Sequence, residues 1–180
     1  LLMDNKITAT GAEHLCGALL SCQSLKILDL SNNTELFTDD MSGKYVGDLL
    51  RQHATMEQLI LNNCGLTMTG VCTLANALSA NTALECLVLS NNNLDDDCLL
   101  ALCPALELRL NFNRLVFSDN RRITDAGAGH ILQLLKKNPN ILEVNLNGTA
   151  VSEWAAGAIR EQIRSNSQLL QDARNPFLPK

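Results

Sequence analysis

The 180-residue sequence predicts an α/β solenoid: strand–loop–helix units stacked along a curve, a parallel sheet on the concave side and helices on the convex side. Three observations predict it. An apolar cluster followed by amides recurs along the chain, most plainly as "LECLVLSNNNL" at 84–94. The first apolar position of each full copy is Leu25, Met56, Leu84, Phe112 and Ile141, so the steps are 31, 28, 28 and 29 residues. Between copies, apolar residues four apart mark one face of a helix. A unit of one strand and one helix cannot bury its own core, so such units fold as a stack.

The elements follow in order. The chain opens inside a copy, "LLMDNKI", with a helix that uses Leu15 and Leu19 after an N-cap at Thr8. "SLKILDLSNNTEL" (24–36) begins the long unit, with Thr38 as its expected N-cap and Val46 and Leu50 as its helix pair. "TMEQLILNNCGL" (55–66) leads to Thr67, Leu74 and Leu78, and "LECLVLSNNNL" to Asp95, Leu102 and Leu106. Pro104 removes a hydrogen bond from that last helix. The expectation is an end near Cys103, after which "ALELRLNF" (105–112) alternates like a strand. "RLVFSDNRRI" (114–123) leads to Thr124, Ile131 and Leu135, and "NILEVNLNGTAV" (140–151) to Ser152, Ile159 and Ile163. Ser, Thr and Asp before each helix accept a bond from an orphan N–H of the first turn. The repeats are expected to span 1–166. Residues 167–180 read as a cap or loose tail, because Asp172 and Arg174 fall where core leucines would stand, with Leu170 and Phe177 covering the last unit.

Asn5, Asn33, Cys64, Asn92, Asn120 and Thr149 form one column where strand bends into loop. A buried bend leaves backbone groups without ladder partners. A short amide, thiol or hydroxyl there satisfies them, so Asn92→Ala is expected to destabilise more than Asn93→Ala. Strands pack about 4.8 Å apart and helices about 8–10 Å apart, so a stack with both layers in contact must curve with the sheet inside. An array that begins in mid-motif at Leu1 is expected to have further units before it.

The repeat resembles the ribonuclease-inhibitor-like class of leucine-rich repeat proteins, over residues 1 to about 166 and most closely in "LANALSANTALECLVLSNNNL" (74–94). The resemblance implies a horseshoe and a role in protein recognition. The class includes the inhibitor itself, receptor sensor domains, the actin-capping tropomodulins and the Ran GTPase-activating proteins, and no motif in the chain selects one of them.

Catalytic and cofactor patterns are absent from the sequence. No H-E-x-x-H, G-x-S-x-G or G-x-x-x-x-G-K-[ST] occurs. "DAGAGH" (125–130) fails as a dinucleotide loop because the third glycine position is Leu132. His14 and His130 occupy equivalent helix positions, so repetition explains them, and Trp154 reads as a packing residue. The seven cysteines form no C-x-x-C pair and have no histidine at ligand spacing, which argues against a metal site. They read as reduced core thiols of a cytoplasmic or nuclear protein. The matches Asn32-Asn33-Thr34 and Asn147-Gly148-Thr149 are explained by the turn motif itself. No apolar run approaches the roughly 18 residues of a membrane span.

What remains is surface. Strand residues alternate faces, which puts Leu1, Asp29, Ile60, Val88, Val116 and Asn145 in one concave column, flanked by Glu57, Glu85, Arg114 and Glu143. The concave set holds six acids (Asp4, Asp29, Glu57, Glu85, Asp119, Glu143) and two bases (Lys26, Arg114), a net −4 against −5 for the whole chain. An acidic groove excludes nucleic acid and suits a partner protein with a basic surface. Strand propensity of Ile and Val and the helix dipole's preference for Asp are the structural alternatives. Two loops break the period and supply rim candidates: Phe37 and Tyr45 in the long unit, and Arg121 with Arg122 in "SDNRRITDAG" (118–127). The expected function is a non-catalytic protein-binding scaffold without cofactor or small-molecule substrate. The alternatives are a GTPase activator acting through Arg121, Arg122 or the asparagine column, and a tropomodulin-like capping module.

Overall fold

The computed structural model describes residues 1–22 and 24–174. Strands and helices alternate: α1 (Ala9–Leu19), β1 (Ile27–Asp29), α2 (Asp40–Gln52), β2 (Gln58–Ile60), α3 (Met68–Ala80), β3 (Cys86–Val88), α4 (Asp96–Leu106), β4 (Arg114–Val116), α5 (Asp125–Lys137), β5 (Glu143–Asn145) and α6 (Glu153–Arg174). The sheet is parallel throughout, in the order β1-β2-β3-β4-β5. Asp29, Ile60, Val88, Val116 and Asn145 lie side by side in the register the period predicts. Leu2 and Asp4 donate N–H bonds to the carbonyls of Asp29 and Ser31, so the opening residues join the same ladder. Each helix packs on its sequence neighbours, which makes a second layer behind the sheet.

The core lies between the layers. The central strand residues Leu28, Leu59, Leu87 and Leu115 are buried, as are the anchors Met56, Leu84, Phe112 and Ile141. Helix residues Val46, Leu50, Leu74, Leu78, Leu102, Leu106, Ile131, Leu135 and Ile159 meet them from the other side. At the first unit the packing thins: Leu15, Leu19 and Leu25 are only partly buried, since nothing precedes them in the stack described.

Asparagines tie each loop to the next. The Asn92 Oδ1 accepts from the N–H of Cys64 (2.9 Å) and Leu66 (3.1 Å), and its Nδ2 donates to the carbonyls of Leu61, Leu89 and Ser90. Asn120 repeats this toward Asn92 and Leu94, and Asn33 toward Asn5 and Ile7. Cys64 takes the same place with its thiol donating to the Leu30 carbonyl. The residue one position earlier explains the rest of the motif. Asp4, Asn32, Asn63, Asn91, Asp119 and Gly148 all have positive φ, between 51° and 75°. Asn, Asp and Gly are the residues that adopt this left-handed backbone at least cost.

A second column, which the sequence reading missed, closes the opposite end of each unit. It lies three residues before each strand anchor and runs Cys22, His53, Asn81, Arg109, Asn138. His53 Nε2 bonds the Cys22 carbonyl, Asn81 Nδ2 donates to Leu50 and His53 carbonyls, Arg109 to the Asn81 carbonyl, and Asn138 to Leu106 and Arg109 carbonyls. Asn166 continues it with a bond to the Leu135 carbonyl. The signal was present as Asn81 and Asn138, but His and Arg in the same column hid it.

Several local expectations are corrected. The N-cap of α2 is Asp39, whose carboxylate accepts from Met41 and Ser42 N–H, while Thr38 Oγ1 donates to the Glu35 carbonyl. The helix with Pro104 does not stop at Cys103 but runs to Leu106; the proline, having no N–H, costs it one bond, and the helix ends two residues later. Residues 107–111 then turn; they form no strand, and the alternation reflects Leu108 and Leu110 facing solvent with Arg109 turned inward. α6 crosses residue 166 and continues to Arg174, so residues 167–174 are helical and not a loose tail. The covering role expected of Phe177 lies outside the described residues.

Candidate functional site

The strand face is where the fold brings expected site residues together. In each three-residue strand the middle side chain enters the core and the outer two face away from the helices. Ile60 and Val88 are half-buried neighbours in adjacent strands. Glu85 is exposed beside them, and Glu57 is half-buried. Asn145 is half-buried at the last strand, and Arg114 and Glu143 are exposed.

Two of the expected members are buried. Asp29 is 7% exposed because its carboxylate turns back to accept from the Ser31 N–H (3.0 Å) and hydroxyl (2.6 Å). Val116 is also 7% exposed, so the apolar members of the column that stand on strands and stay open to solvent are Ile60 and Val88. Two more acids are neutralised in place. Glu57 pairs with Lys26, and Glu143 pairs with the Arg114 guanidinium at 2.9 Å. Both pairs run along a strand column from one unit to the next. Among the described residues, negative charge with no ion pair on this face therefore concentrates at Glu85 and at the loop acids Asp4 and Asp119.

The rim divides differently from the sequence expectation. Phe37 is not a rim residue: it is 1% exposed and fills core space beside Gly70, where an added Cβ would lie 3.3 Å from its ring. The bulk of a phenylalanine inside the extra loop is what the three additional residues of the long unit accommodate. Tyr45 also leaves the rim. It stands on α2, and burial followed by the carboxylates of Glu13 and Asp39 pushes its phenol above the ordinary value. Arg122 pairs with Asp95 at 3.0 Å, while Arg121 is exposed beside Asn91, Asn93 and Asp119.

The rim acids have structural work. Asp39 and Asp95 cap their own helices. Asp96 accepts from the Thr124 N–H (2.8 Å), the Thr124 hydroxyl (2.7 Å) and the Gly127 N–H (2.9 Å), capping α5 from the preceding unit. Asp125 does the same for Ser152, at 2.7 Å to its N–H and 2.8 Å to its hydroxyl. The thiols are structural too: burial pushes Cys16, Cys64 and Cys103 up to about 12 and Cys98 up to about 11. All seven cysteines are free. Among the described residues no cluster of His, Cys, Asp and Glu has the arrangement of a metal site, and no helix is long and apolar enough to cross a membrane.

A sequence profile described as "Leucine Rich repeat" matches residues 21–39 and 80–103. Human "NACHT, LRR and PYD domains-containing protein 5" is 31% identical over 179 residues, covering 96% of this chain and 15% of that protein. The mouse ribonuclease inhibitor is 26% identical over 170 residues, covering 94% of this chain and 37% of the inhibitor. The chain thus spans well under half the length of these relatives. The structure titled "Leiomodin-1 Actin-Binding Site 2 (ABS2)" superposes with a TM-score of 0.75 at 17% identity, over 89% of this chain and 92% of that one. That likeness is one of fold.

Proposed function

We propose that this chain, a leucine-rich repeat protein of the ribonuclease-inhibitor-like class, is a non-catalytic scaffold that binds another protein on its strand face. The observation that carries the reading is the registered, solvent-facing row built from successive units, with Ile60 and Val88 adjacent and Glu57 and Glu85 beside them. Such a row offers an apolar centre with a charged margin, the arrangement of interfaces in general. Glu85, Asp4 and Asp119, which make no ion pair among the described residues, favour a partner with a basic surface, and complementary charge of this kind sets the encounter rate. Residues 1–166 are the repeat array in this account, with the last turns of α6 extending past it. The free, buried thiols fit a reducing compartment, and we assign the protein to the cytoplasm.

A photo-crosslinking residue placed at Val88, and separately at Lys44 on α2, tests the surface. Covalent capture of a partner from Val88 and none from Lys44 supports the strand face; the reverse outcome overturns it. The leiomodin likeness favours one second reading, actin binding, which co-sedimentation with filamentous actin decides. GTP turnover with candidate GTPases tests the activator alternative, in which exposed Arg121 would act on the bound enzyme.

A further inference from the structure

We propose that Asn147–Gly148 is a self-modification site of the folded protein, where Asn147 converts to isoaspartate and aspartate through a cyclic imide. The chemistry needs a free asparagine carboxamide followed by a backbone N–H that is open and unhindered. Asn147–Gly148 is the only Asn-Gly pair in the sequence. Both residues are exposed, and Gly148 has φ +75°.

The position in the stack decides the rest. In every preceding unit the N–H at the Gly148 column is donated to the next strand's loop: Asp4 to Ser31, Asn32 to Asn62, Asn63 to Ser90, Asn91 to Ser118 and Asp119 to Asn147. β5 is the last strand among the described residues, and among them the Gly148 N–H has no acceptor. The Asn147 backbone is meanwhile held on both sides, its N–H by Asn145 Oδ1 at 3.0 Å and its carbonyl by the Asp119 N–H at 2.8 Å. Its side-chain amide makes no hydrogen bond among the described residues. The left-handed asparagines Asn63 and Asn91 differ at the nitrogen that would react. The N–H after Asn91 is bonded to Asn120 Oδ1 and the N–H after Asn63 to Asn92 Oδ1, each at 2.9 Å. The ladder that stiffens the loops thus shields these two amides, and among the described residues it gives the Gly148 amide no such partner.

The step balances without any oxidant. The Gly148 amide nitrogen loses its proton to hydroxide and attacks Asn147 Cγ. The N–Cγ bond forms, the Cγ–Nδ2 bond breaks, and ammonia leaves. Water then opens the five-membered imide at either carbonyl, giving an isoaspartyl or an aspartyl link. Either product adds one negative charge at the end of the strand face, near Glu143 and Asn145.

The test incubates the native chain in mildly alkaline buffer made with heavy-oxygen water, beside a sample unfolded in urea. Proteolysis and fragment mass spectrometry locate the label, and hydrogen exchange reports the amides. The expected result is conversion at Asn147 within about threefold of its unfolded rate, with the Gly148 amide exchanging at least ~10-fold faster than the Asp119 amide. Asn147→Ser, an exposed change, should abolish isoaspartate-specific methyl acceptance. The proposal is overturned if folded protein stays unmodified at Asn147 while unfolded protein reacts there. It is equally overturned if the Gly148 amide is as protected as that of Asp119, or if Asn147→Ser retains full methyl acceptance.

Discussion

Replacing Asn92 by alanine removes a central side chain of the loop ladder. Its carboxamide is 6% exposed, accepts two backbone N–H bonds and donates to three carbonyls. The Ser90 carbonyl keeps a partner in the Asn63 N–H, so its loss matters least. The Cys64 and Leu66 N–H groups are left buried and unpaired, at about 1–3 kcal/mol each. A total near 4 kcal/mol is expected, which is large against the roughly 5–15 kcal/mol by which domains are stable. With a urea slope of about 2 kcal/mol per M, the unfolding midpoint should fall by ~2 M. The matched control is Asn93→Gly. Asn93 is exposed but has φ +58°, so alanine there would introduce its own strain, whereas glycine adopts that backbone freely. Its midpoint should move by less than about 0.3 M, the shift of a surface change. Circular dichroism in urea reads both. Equal midpoints for the two variants would refute the claim that the amide column, and not simply amide content, holds the loops together.

Other perturbations test separate parts of the account. Gly65→Ala puts a side chain at φ +69° and a Cβ 2.9 Å from the Thr34 carbonyl oxygen; thermal unfolding should show a loss of about 2 kcal/mol. Asp96→Ala removes the cap that one unit gives the next, so hydrogen exchange should rise in the first turn of α5, with a stability loss of about 1–2 kcal/mol. The buried thiols of Cys16, Cys64 and Cys103 are held protonated up to about 12 against an ordinary 9.0. Their contribution to stability is complete below pH 9 and is lost as pH rises toward 12, since the unfolded chain releases those protons first. Urea midpoints measured across that range should fall, and below it alkylation of the native protein should label half-exposed Cys22 and Cys72 before the others.

Much of the fold was legible because the repeat tests itself. A register error of one residue would have moved Leu59 or Leu87 out of the core, and the five strands pair as the period requires. The Asn92 column was readable because a side chain that bridges two units must recur at the unit spacing. The second column was not, because its chemistry needs only a donor aimed at a carbonyl, and Asn81, His53 and Arg109 all supply one. Site residues were legible as positions and not as surfaces. Spacing placed Asp29 on the strand face, but its bond to the next serine, which buries it, is a local turn that periodicity does not encode. Phe37 stood out as a break in the pattern, and the break turned out to lie inside the core. Charge was misjudged for a related reason: a count of acids does not reveal that Lys26 and Arg114 reach across to Glu57 and Glu143.

The measurement that bears most directly on the strand face is surface plasmon resonance with the partner captured from Val88, at two salt concentrations. Val88→Asp is predicted to speed dissociation, because a charge replaces apolar contact worth about 1.5–3 kcal/mol at full burial. Glu85→Lys, which changes an exposed acid, is predicted to slow association and flatten its salt dependence while leaving residence time nearly unchanged. Reversal of Glu13 and Glu161, exposed on α1 and α6, should alter neither rate. Binding abolished by the helix reversals and untouched by Val88→Asp would contradict the account, and would leave Ile60 and Val88 as strand formers only.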